Sequence, residues 1–386
     1  MKPQFFGGNR LTLLNSGAGY FPALIEAIDG ARDSVHLETY IFADDASGRA
    51  VIAAMTNAVR RGVTVRVLVD GFGGGDFPQT LMPGMIAAGI QVLIYRPEIT
   101  RFGFNRRRLR RLHRKISLID ARIAFVGGIN IIDDLNTPHQ IPPRFDFAVR
   151  IEGPLVEPIR RAVARLWEVV CWANFRRRFR LADGSSRVPP AWGNARAAFV
   201  IRDNFRHRRD IEKSYLQAIR SARHEIIIAN AYFLPGLRFR HALIEAARRG
   251  VRVVVMLQGR VEYTLLHYAT QALYGALFGG GVRIFEYHRS FLHAKVAVID
   301  SEWATVGSSN IDPFSLLLAK EANVVVRDRD FALTLRTALL AAMNSGAHEL
   351  KHEQWVHARI DIRVARWMCY QLTRLLLGVA GYGQRR

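Results

Sequence analysis

The chain carries the same polar motif twice, and this internal repeat constrains its fold more than any other feature. Residues 112–130 (LHRKISLIDARIAFVGGIN) and 292–310 (LHAKVAVIDSEWATVGSSN) are identical at nine of nineteen positions. The segments upstream repeat in the same order, 20–42 with 215–233 and 60–71 with 248–259. Two long copies in one order indicate a duplicated domain rather than an array of short repeats.

Each copy has the pattern of an α/β domain. Helical apolar periodicity in 50–62 and 240–250 ends at a glycine, which is a common helix stop. A run rich in β-branched residues follows each helix, as is typical of buried strands. Helix and strand units in series predict an α/β fold of two pseudo-two-fold halves. We expect a mixed, largely parallel sheet flanked by helices, with an active site between the halves.

The segment between the copies has the composition of a linker. It lacks periodicity and contains glycine, serines and a Pro-Pro pair. We therefore predict an N-terminal half, a linker, a C-terminal half and an appended basic and apolar tail, with bounds 1–175, 176–196, 197–345 and 346–386.

The composition favours a globular protein with a polyanionic partner. Of 386 residues, 49% are apolar, which excludes an intrinsically disordered chain, and the formal net charge is +22. Only six of the 55 basic residues are lysines, so a lysine marks a position where arginine would not serve. Two cysteines fit neither a disulfide framework nor a metal spacing. Without a recognisable signal peptide or long apolar window, we expect a soluble or peripheral protein on the cytoplasmic side.

The repeated motif has the groups that a phosphate site requires. In a strand, residues i and i+2 share a face, so His113 points with Lys115, and His293 with Lys295. A neutral imidazole can attack phosphorus, while an ammonium and N–H donors stabilise its oxygens. Asn130 and Asn310 follow the two motifs and supply further amide donors. Asp120 and Asp300 lie at an odd spacing from the histidines, so we expect them to orient or brace the site.

Two copies solve the problem of phosphodiester exchange, which needs a nucleophile on one side and a general acid on the other. One histidine would form a phosphohistidine, and the other would protonate the leaving alcohol and deprotonate the incoming one. No metal or cofactor is expected. A single His-x-Lys in a strand is usually structural. Two copies, each followed at fixed spacing by Asp, Gly and Asn, favour a catalytic role.

The two stretches HRKISLIDARIAFVGGIN and HAKVAVIDSEWATVGSSN resemble the paired HxKxxxxD motifs of the phospholipase D superfamily. The resemblance covers roughly residues 8 to 330 and implies two phospholipase D-like halves. It assigns catalytic roles to both His-Lys-Asp sets and favours His113 as the nucleophile with His293 as the acid. A downstream acidic residue in each half commonly orients the histidine; Glu321 matches in the second half, and Asp146 in the first at a different distance.

Several further stretches resemble bacterial cardiolipin synthases of the B type, which lack transmembrane segments. They include HLETYIFADDASG, FVGGINIIDD, IANAYFLPG and SSNIDPFSLLLAKEANVVV. The resemblance implies a phosphatidyltransferase that joins two phosphatidylglycerol molecules, releases glycerol and acts peripherally at the cytoplasmic side of the bacterial membrane. The alternatives are a phospholipase D-type phosphodiesterase or nuclease, or a non-enzymatic protein that binds anionic lipid or nucleic acid.

Secondary features are compatible with a lipid substrate. Arginines in 101–115 could attract anionic headgroups or form a solvated basic loop. The apolar tail 367–383 could lie at a membrane interface or pack on the domain. Asp133 and Asp134 fit turn or helix-cap residues better than metal ligands, and His36 fits a core histidine.

Overall fold

The fold is known from a computed structural model, which describes residues 3–97, 110–174, 189–203, 207–261, 263–312, 319–353 and 360–377. Most of the predicted linker 176–196 and of the basic segment 101–115 lies outside these ranges. The bounds of the linker therefore stay a prediction.

Strands and helices alternate through most of the described chain, as the sequence pattern predicts. The strands are β1 (Phe6–Asn15), β2 (Ser34–Thr39), β3 (Thr64–Asp70), β4 (Gln91–Tyr95), β5 (Lys115–Ile119), β6 (Ile123–Gly127), β7 (Arg144–Phe145), β8 (Phe147–Glu152), β9 (Ala195–Arg202), β10 (Glu225–Asn230), β11 (Arg252–Gln258), β12 (Arg283–Tyr287), β13 (Phe291–Leu292), β14 (Lys295–Ile299), β15 (Trp303–Gly307), β16 (Glu321–Arg327) and β17 (Ala347–Glu349).

The helices cover both faces of the sheet. They are α1 (Ser16–Asp29), α2 (Ala46–Arg60), α3 (Leu81–Ala87), α4 (Val156–Ala173), α5 (Asp210–Ser221), α6 (Leu237–Arg248), α7 (Thr264–Gln271), α8 (Tyr274–Gly279), α9 (Arg329–Gly346) and α10 (Ile360–Leu377).

One continuous mixed sheet runs through both halves, in the order β17-β12-β11-β10-β14-β15-β16-β9-β1-β8-β6-β5-β2-β3-β4. The α/β class and the duplication are confirmed. The prediction of a largely parallel sheet is wrong, because within this sheet, as far as the structure describes it, only β2-β3-β4 and β10-β11-β12 pair in parallel. Each motif strand instead forms a hairpin with the next strand, β5 with β6 and β14 with β15. Such a tight connection makes neighbouring strands antiparallel.

The two halves share one apolar core across the centre of the sheet. Strand β1 pairs with β8 on one side and with β9 on the other, which joins the halves edge to edge. Helices α4 and α9 bury Ile159, Val163, Leu335 and Leu339 against strands of both halves. The outer faces carry separate clusters, under α1 and α2 in the first half and under α5 and α6 in the second. The seam between the halves is therefore rigid.

The tail extends the second half. Strand β17 adds to the edge of the sheet beside β12, and α10 packs on α7. Within the described residues, no helix combines the length and the apolar character needed to cross a membrane.

Candidate active site

The motif histidines lie where the two halves meet, and the backbone of each half holds the motif of the other. The His113 N–H donates to the Lys320 carbonyl at 3.0 Å, and the His293 N–H donates to the Phe145 carbonyl at 2.9 Å. Short pairing of β7 with β13 extends this contact. Each acceptor carbonyl belongs to the residue that precedes a predicted orienting acid, Glu321 or Asp146.

The orienting carboxylates therefore act across the seam. Both carboxylate oxygens of Glu321 lie 3.0 and 3.1 Å from Nδ1 of His113, and Oδ2 of Asp146 lies 2.6 Å from Nδ1 of His293. The sequence predicted both acids but implied pairing within each half, which is wrong. With Nδ1 bonded to a carboxylate, Nε2 is the nitrogen of each ring that remains available for chemistry.

The two carboxylates are supported differently. The Ser308 hydroxyl donates to Glu321 at 2.5 Å. The equivalent residue in the first half is Gly128, where a Cβ would lie only 2.4 Å from the Asp146 carboxylate. Asp146 instead accepts the N–H of Phe147 at 2.8 Å. The sequence difference between GG and GS thus accommodates two different carboxylate placements.

The motif lysines are almost completely buried beside the histidines. Lys115 is 3% exposed and Lys295 is 0% exposed. The Lys115 ammonium donates to the His113 carbonyl at 2.6 Å, and Lys295 donates to the His293 carbonyl while lying 3.7 Å from Asp146. Burial lowers the pKa of Lys115 to about 7. The role of the two lysines in binding phosphate stays a prediction.

Both histidines are held toward the neutral form. Burial lowers the pKa of His113, and Lys115 adds to that effect against the opposing pull of Glu321. The pKa of His293 lies well below its usual value because of burial, with Lys295 and Arg144 as further causes. A neutral imidazole is the form that attacks phosphorus. Burial also raises the pKa of Asp146 to about 6.

The motif aspartates lie at the far end of their strands. Asp120 accepts the backbone N–H groups of residues 32, 33 and 34 at 2.8–2.9 Å, and Asp300 accepts those of residues 223, 224 and 225 at 2.8 Å. These hydrogen bonds fit the bracing expected from the odd spacing of the aspartates, and their place in the catalytic set stays a prediction. Each one fixes the turn that leads into β2 or β10.

The motif amides are buried close to the histidine loops. Asn130 Oδ1 accepts the Ile41 N–H at 3.2 Å. Asn310 is 3% exposed, and its side-chain oxygen has no hydrogen-bond partner within the described chain. Their role in binding phosphate stays a prediction.

Sequence reasoning missed three supporting side chains. The Tyr40 ring lies edge-on to the His113 ring at 5.0 Å and 5.4 Å from the Lys115 nitrogen. Asp70 accepts the N–H of Leu112 at 2.7 Å, and Gln258 accepts that of Leu292 at 3.1 Å. The latter two end the repeated strands VLVD and VMLQ, so the aligned polar residue at each strand end was the available signal.

The remaining predictions can be placed. Asp134 accepts the Gly17 N–H at the start of α1, and Asp133 accepts from Ser47 and from a turn N–H, as expected for cap and turn residues. His36 is buried against Trp167, with ring centroids 5.2 Å apart, as expected for a core histidine.

Comparison with known proteins gives consistent similarities. A family profile described as "Cardiolipin synthase, PLD-like domain" matches residues 24–141 and 215–342. The chain is 44% identical over 348 residues to cardiolipin synthase B of Escherichia coli K12, covering 88% of this chain and 81% of that protein. It is 30% identical over 374 residues to cardiolipin synthase A of Proteus mirabilis, covering 96% and 76%.

A solved structure shows the same fold. The crystal structure of phosphatidylserine synthase from Haemophilus influenzae superimposes with a TM-score of 0.69 at 12% identity, covering 98% of this chain and 95% of that one. At such low identity the likeness concerns the fold alone.

Proposed function

The chain belongs to the cardiolipin synthase family of phospholipase D-like phosphatidyltransferases, and we propose that it joins two phosphatidylglycerol molecules into cardiolipin and glycerol. The observation that carries this proposal is the pair of buried histidines, each bonded through Nδ1 to a carboxylate of the opposite half. Such a pair can handle both sides of one phosphodiester in turn.

In the first step, Nε2 of His113 attacks the phosphorus of a phosphatidylglycerol. A P–N bond forms as the bond from phosphorus to the glycerol headgroup oxygen breaks. His293 gives its Nε2 proton to that oxygen, so glycerol leaves as a neutral alcohol and the phosphatidyl group stays on His113. Glu321 holds the His113 ring for in-line attack and stabilises the positive charge that it develops.

In the second step, a glycerol hydroxyl of a second phosphatidylglycerol attacks the same phosphorus. His293 takes the hydroxyl proton while the new P–O bond forms and the P–N bond breaks. Cardiolipin leaves, His113 is free, and His293 again carries the proton of the starting state. Every proton released by an alcohol is thereby returned through one histidine.

The negative charge of the substrate favours the protonated form of His293. Burial, and after it the lysines and Arg144, lowers the pKa of His293. A bound phosphodiester brings a negative charge between these cations and offsets them, which raises the pKa of His293 and favours its protonated form. The general acid is therefore charged when the substrate is present. Lys115 and Lys295 also stabilise the charge that develops on the phosphoryl oxygens in the transition state.

The second part of the proposal places the enzyme at an anionic membrane surface on the cytoplasmic side. Helix α10 carries an outward arc of apolar side chains, among them Val364, Trp367, Met368, Leu372 and Leu375, with Trp367 59% and Leu375 62% exposed. The opposite face, including Cys369 and Tyr370, packs toward α7. An apolar arc on a chain of net charge +22 suits shallow insertion among anionic lipids.

The test is to incubate the protein with phosphatidylglycerol vesicles and identify the products by mass. We expect equal amounts of cardiolipin and glycerol. Lys115→Ala should lower the rate by about 10²-fold or more, since it removes a buried transition-state cation. Lys213→Ala, which removes a lysine whose side chain is 59% exposed on α5, serves as the matched control and should leave the rate unchanged.

The other outcomes separate the alternatives. Glycerol with phosphatidic acid in place of cardiolipin would identify a hydrolase. Absence of both products from folded protein would refute the proposal, and lipid binding that persists without either histidine would then favour a binding protein.

A further inference from the structure

The pseudo-two-fold site is asymmetric at the residue that follows β2 and β10. Tyr40 and Ala231 are equivalent, since each lies two residues beyond the strand partner of the residue after the motif lysine. The Tyr40 ring fills the space against His113 and Lys115. Alanine has no such ring, and on the second side the Phe291 ring lies 5.7 Å from the His293 ring instead.

The Ala231 side chain lines a pocket, and two lining residues of this pocket hydrogen-bond the segment that carries His293. The Ala231 N–H donates to the Ala294 carbonyl at 3.0 Å, and the Gln258 side chain accepts the Leu292 N–H at 3.1 Å. Two walls of the pocket thus hold the residues on either side of the histidine. The lining includes Ala231, Tyr232, Gln258, Tyr263, His267 and Thr270.

The pocket admits part of a small headgroup. The volume open to the centre of a water molecule is about 30 Å³, and a single water needs about 10–15 Å³ by the same measure. A few atoms of a small alcohol can therefore enter, whereas an acyl chain cannot.

Its chemistry favours a neutral polyol. Phenol, amide, imidazole and hydroxyl groups offer aromatic faces and hydrogen bonds, which suit a small polyhydroxy ligand. No carboxylate occurs among the lining residues that the structure describes, and Arg260 and His267 are among them. The guanidinium of Arg260 would repel the ammonium group of an amino alcohol and can donate hydrogen bonds to a hydroxyl.

We infer that this pocket is the alcohol site of the exchange and selects a glycerol-type headgroup over an amino alcohol. It holds the departing glycerol in the first step and the glycerol headgroup of the acceptor lipid in the second. Its lining residues hydrogen-bond the segment of His293, which is the histidine that moves the alcohol proton in the proposed mechanism. The inference rests on the proposed function. It adds the binding site of the acceptor headgroup and a reason why the two lipids bind in different positions.

The test fills the pocket with the residue that the first half carries. We expect Ala231→Tyr to lower the rate of transfer to phosphatidylglycerol or free glycerol by at least about tenfold, the range for losing a fitted group in a pocket. Transfer to water should persist, so the product shifts from cardiolipin to phosphatidic acid. Ala87→Tyr, at an exposed position near the end of α3, is the matched control and should keep the wild-type ratio.

A second variant covers a folding defect in the first. Tyr263 is 60% exposed at the pocket mouth, so Tyr263→Ala should fold and should raise KM for glycerol with little change in hydrolysis. Wild-type protein should also prefer glycerol when glycerol and ethanolamine compete at equal concentration. If the wild type makes no product, the proposed function fails. If it makes cardiolipin but the variants lower transfer and hydrolysis equally, or change neither, the alcohol-site inference fails.

Discussion

At the residue scale, the titratable groups of the site are buried near one another, so the charge of one group shifts the pKa of the next. Lys115 and Lys295 are buried without solvent to stabilise their ammonium groups, and each lies near a histidine whose pKa is lowered by burial. Glu321 and Asp146 supply the opposing charge from across the seam. Activity should therefore depend on pH through the buried groups as well as the histidines.

We expect kcat to reach a maximum near neutral pH, because the bound phosphodiester keeps His293 protonated in the complex. Below about 6, Asp146 takes up a proton and no longer stabilises a charged His293. Above about 7, Lys115 loses its ammonium charge in the free enzyme. The alkaline limb of kcat should lie at higher pH than that of kcat/KM, because the bound phosphate anion raises the pKa of Lys115 and of His293.

Steady-state rates with a short-chain phosphatidylglycerol across this range check the pH prediction. Asp146→Asn is the companion variant, since its amide does not titrate and its acid limb should flatten at a lower rate. A profile that is flat through both pH values, or alkaline limbs of kcat and kcat/KM at the same pH, would contradict this view of the site.

At the element scale, the hairpin turns hold the motif strands in register and are separate from the chemistry. The turn residues Asp120, Ala121, Asp300 and Ser301 have φ of 50–54°, in the left-handed region. The aspartates hydrogen-bond three backbone N–H groups each at the entrance to the neighbouring strand. Their loss should affect stability rather than turnover.

Asp300→Ala should lower the free energy of unfolding by about 2 kcal/mol, the order expected for losing hydrogen bonds to a charged group. The midpoint of urea unfolding measures this, and turnover per folded molecule should stay near the wild-type value. His293→Ala is the converse variant, with a near-normal midpoint and a loss of turnover. If Asp300→Ala kept its unfolding midpoint and lost turnover, the aspartate would belong to the catalytic machinery after all.

Much of the element arrangement and of the site could be predicted from the sequence. His113, Lys115 and their copies stand out because they are polar identities inside apolar strands, and the duplication follows from them. The family, the α/β class and the phosphatidyltransferase activity that the resemblance implied are confirmed. The roles assigned to the site residues stay predictions.

The strand directions, the exchange of carboxylates and the position of Tyr40 could not be predicted from the local sequence pattern. The antiparallel hairpins were missed because their left-handed turns use Asp-Ala and Asp-Ser rather than the Asn-Gly that usually signals such a turn. The exchange of Glu321 and Asp146 between halves is set by contacts more than 140 residues apart in the chain. The contact of Tyr40 with His113 joins residues 73 positions apart, and no local sequence pattern marks it.

At the scale of the whole molecule, helix α7 connects the tail helix α10 with the pocket of the further inference. Both motif histidines lie at the seam, and α7 packs against α10 and also lines the pocket that contains Ala231. Docking of α10 on a lipid surface would therefore hold the acceptor pocket close to the headgroups.

Replacing Trp367 and Leu375 together by Glu should weaken binding to phosphatidylglycerol vesicles by about tenfold or more, since burial of one large apolar side chain contributes roughly 1.5–3 kcal/mol. Activity on a soluble short-chain phosphatidylglycerol should stay unchanged. Ile86→Glu, at another exposed apolar position on α3, is the matched control in vesicle co-sedimentation. Equal sedimentation of all three proteins would contradict the proposed contact between α10 and the membrane surface.

The central claim is that one histidine carries the phosphatidyl group between two lipids. It is tested most directly by mixing the protein with phosphatidylglycerol, quenching within a turnover under conditions that preserve phosphohistidine, and mapping the adduct by peptide mass. We predict a phosphatidyl group on the peptide that contains His113, and none in His113→Ala. Cardiolipin formation with no adduct on either histidine, or an adduct on His293 alone, would contradict the proposed mechanism.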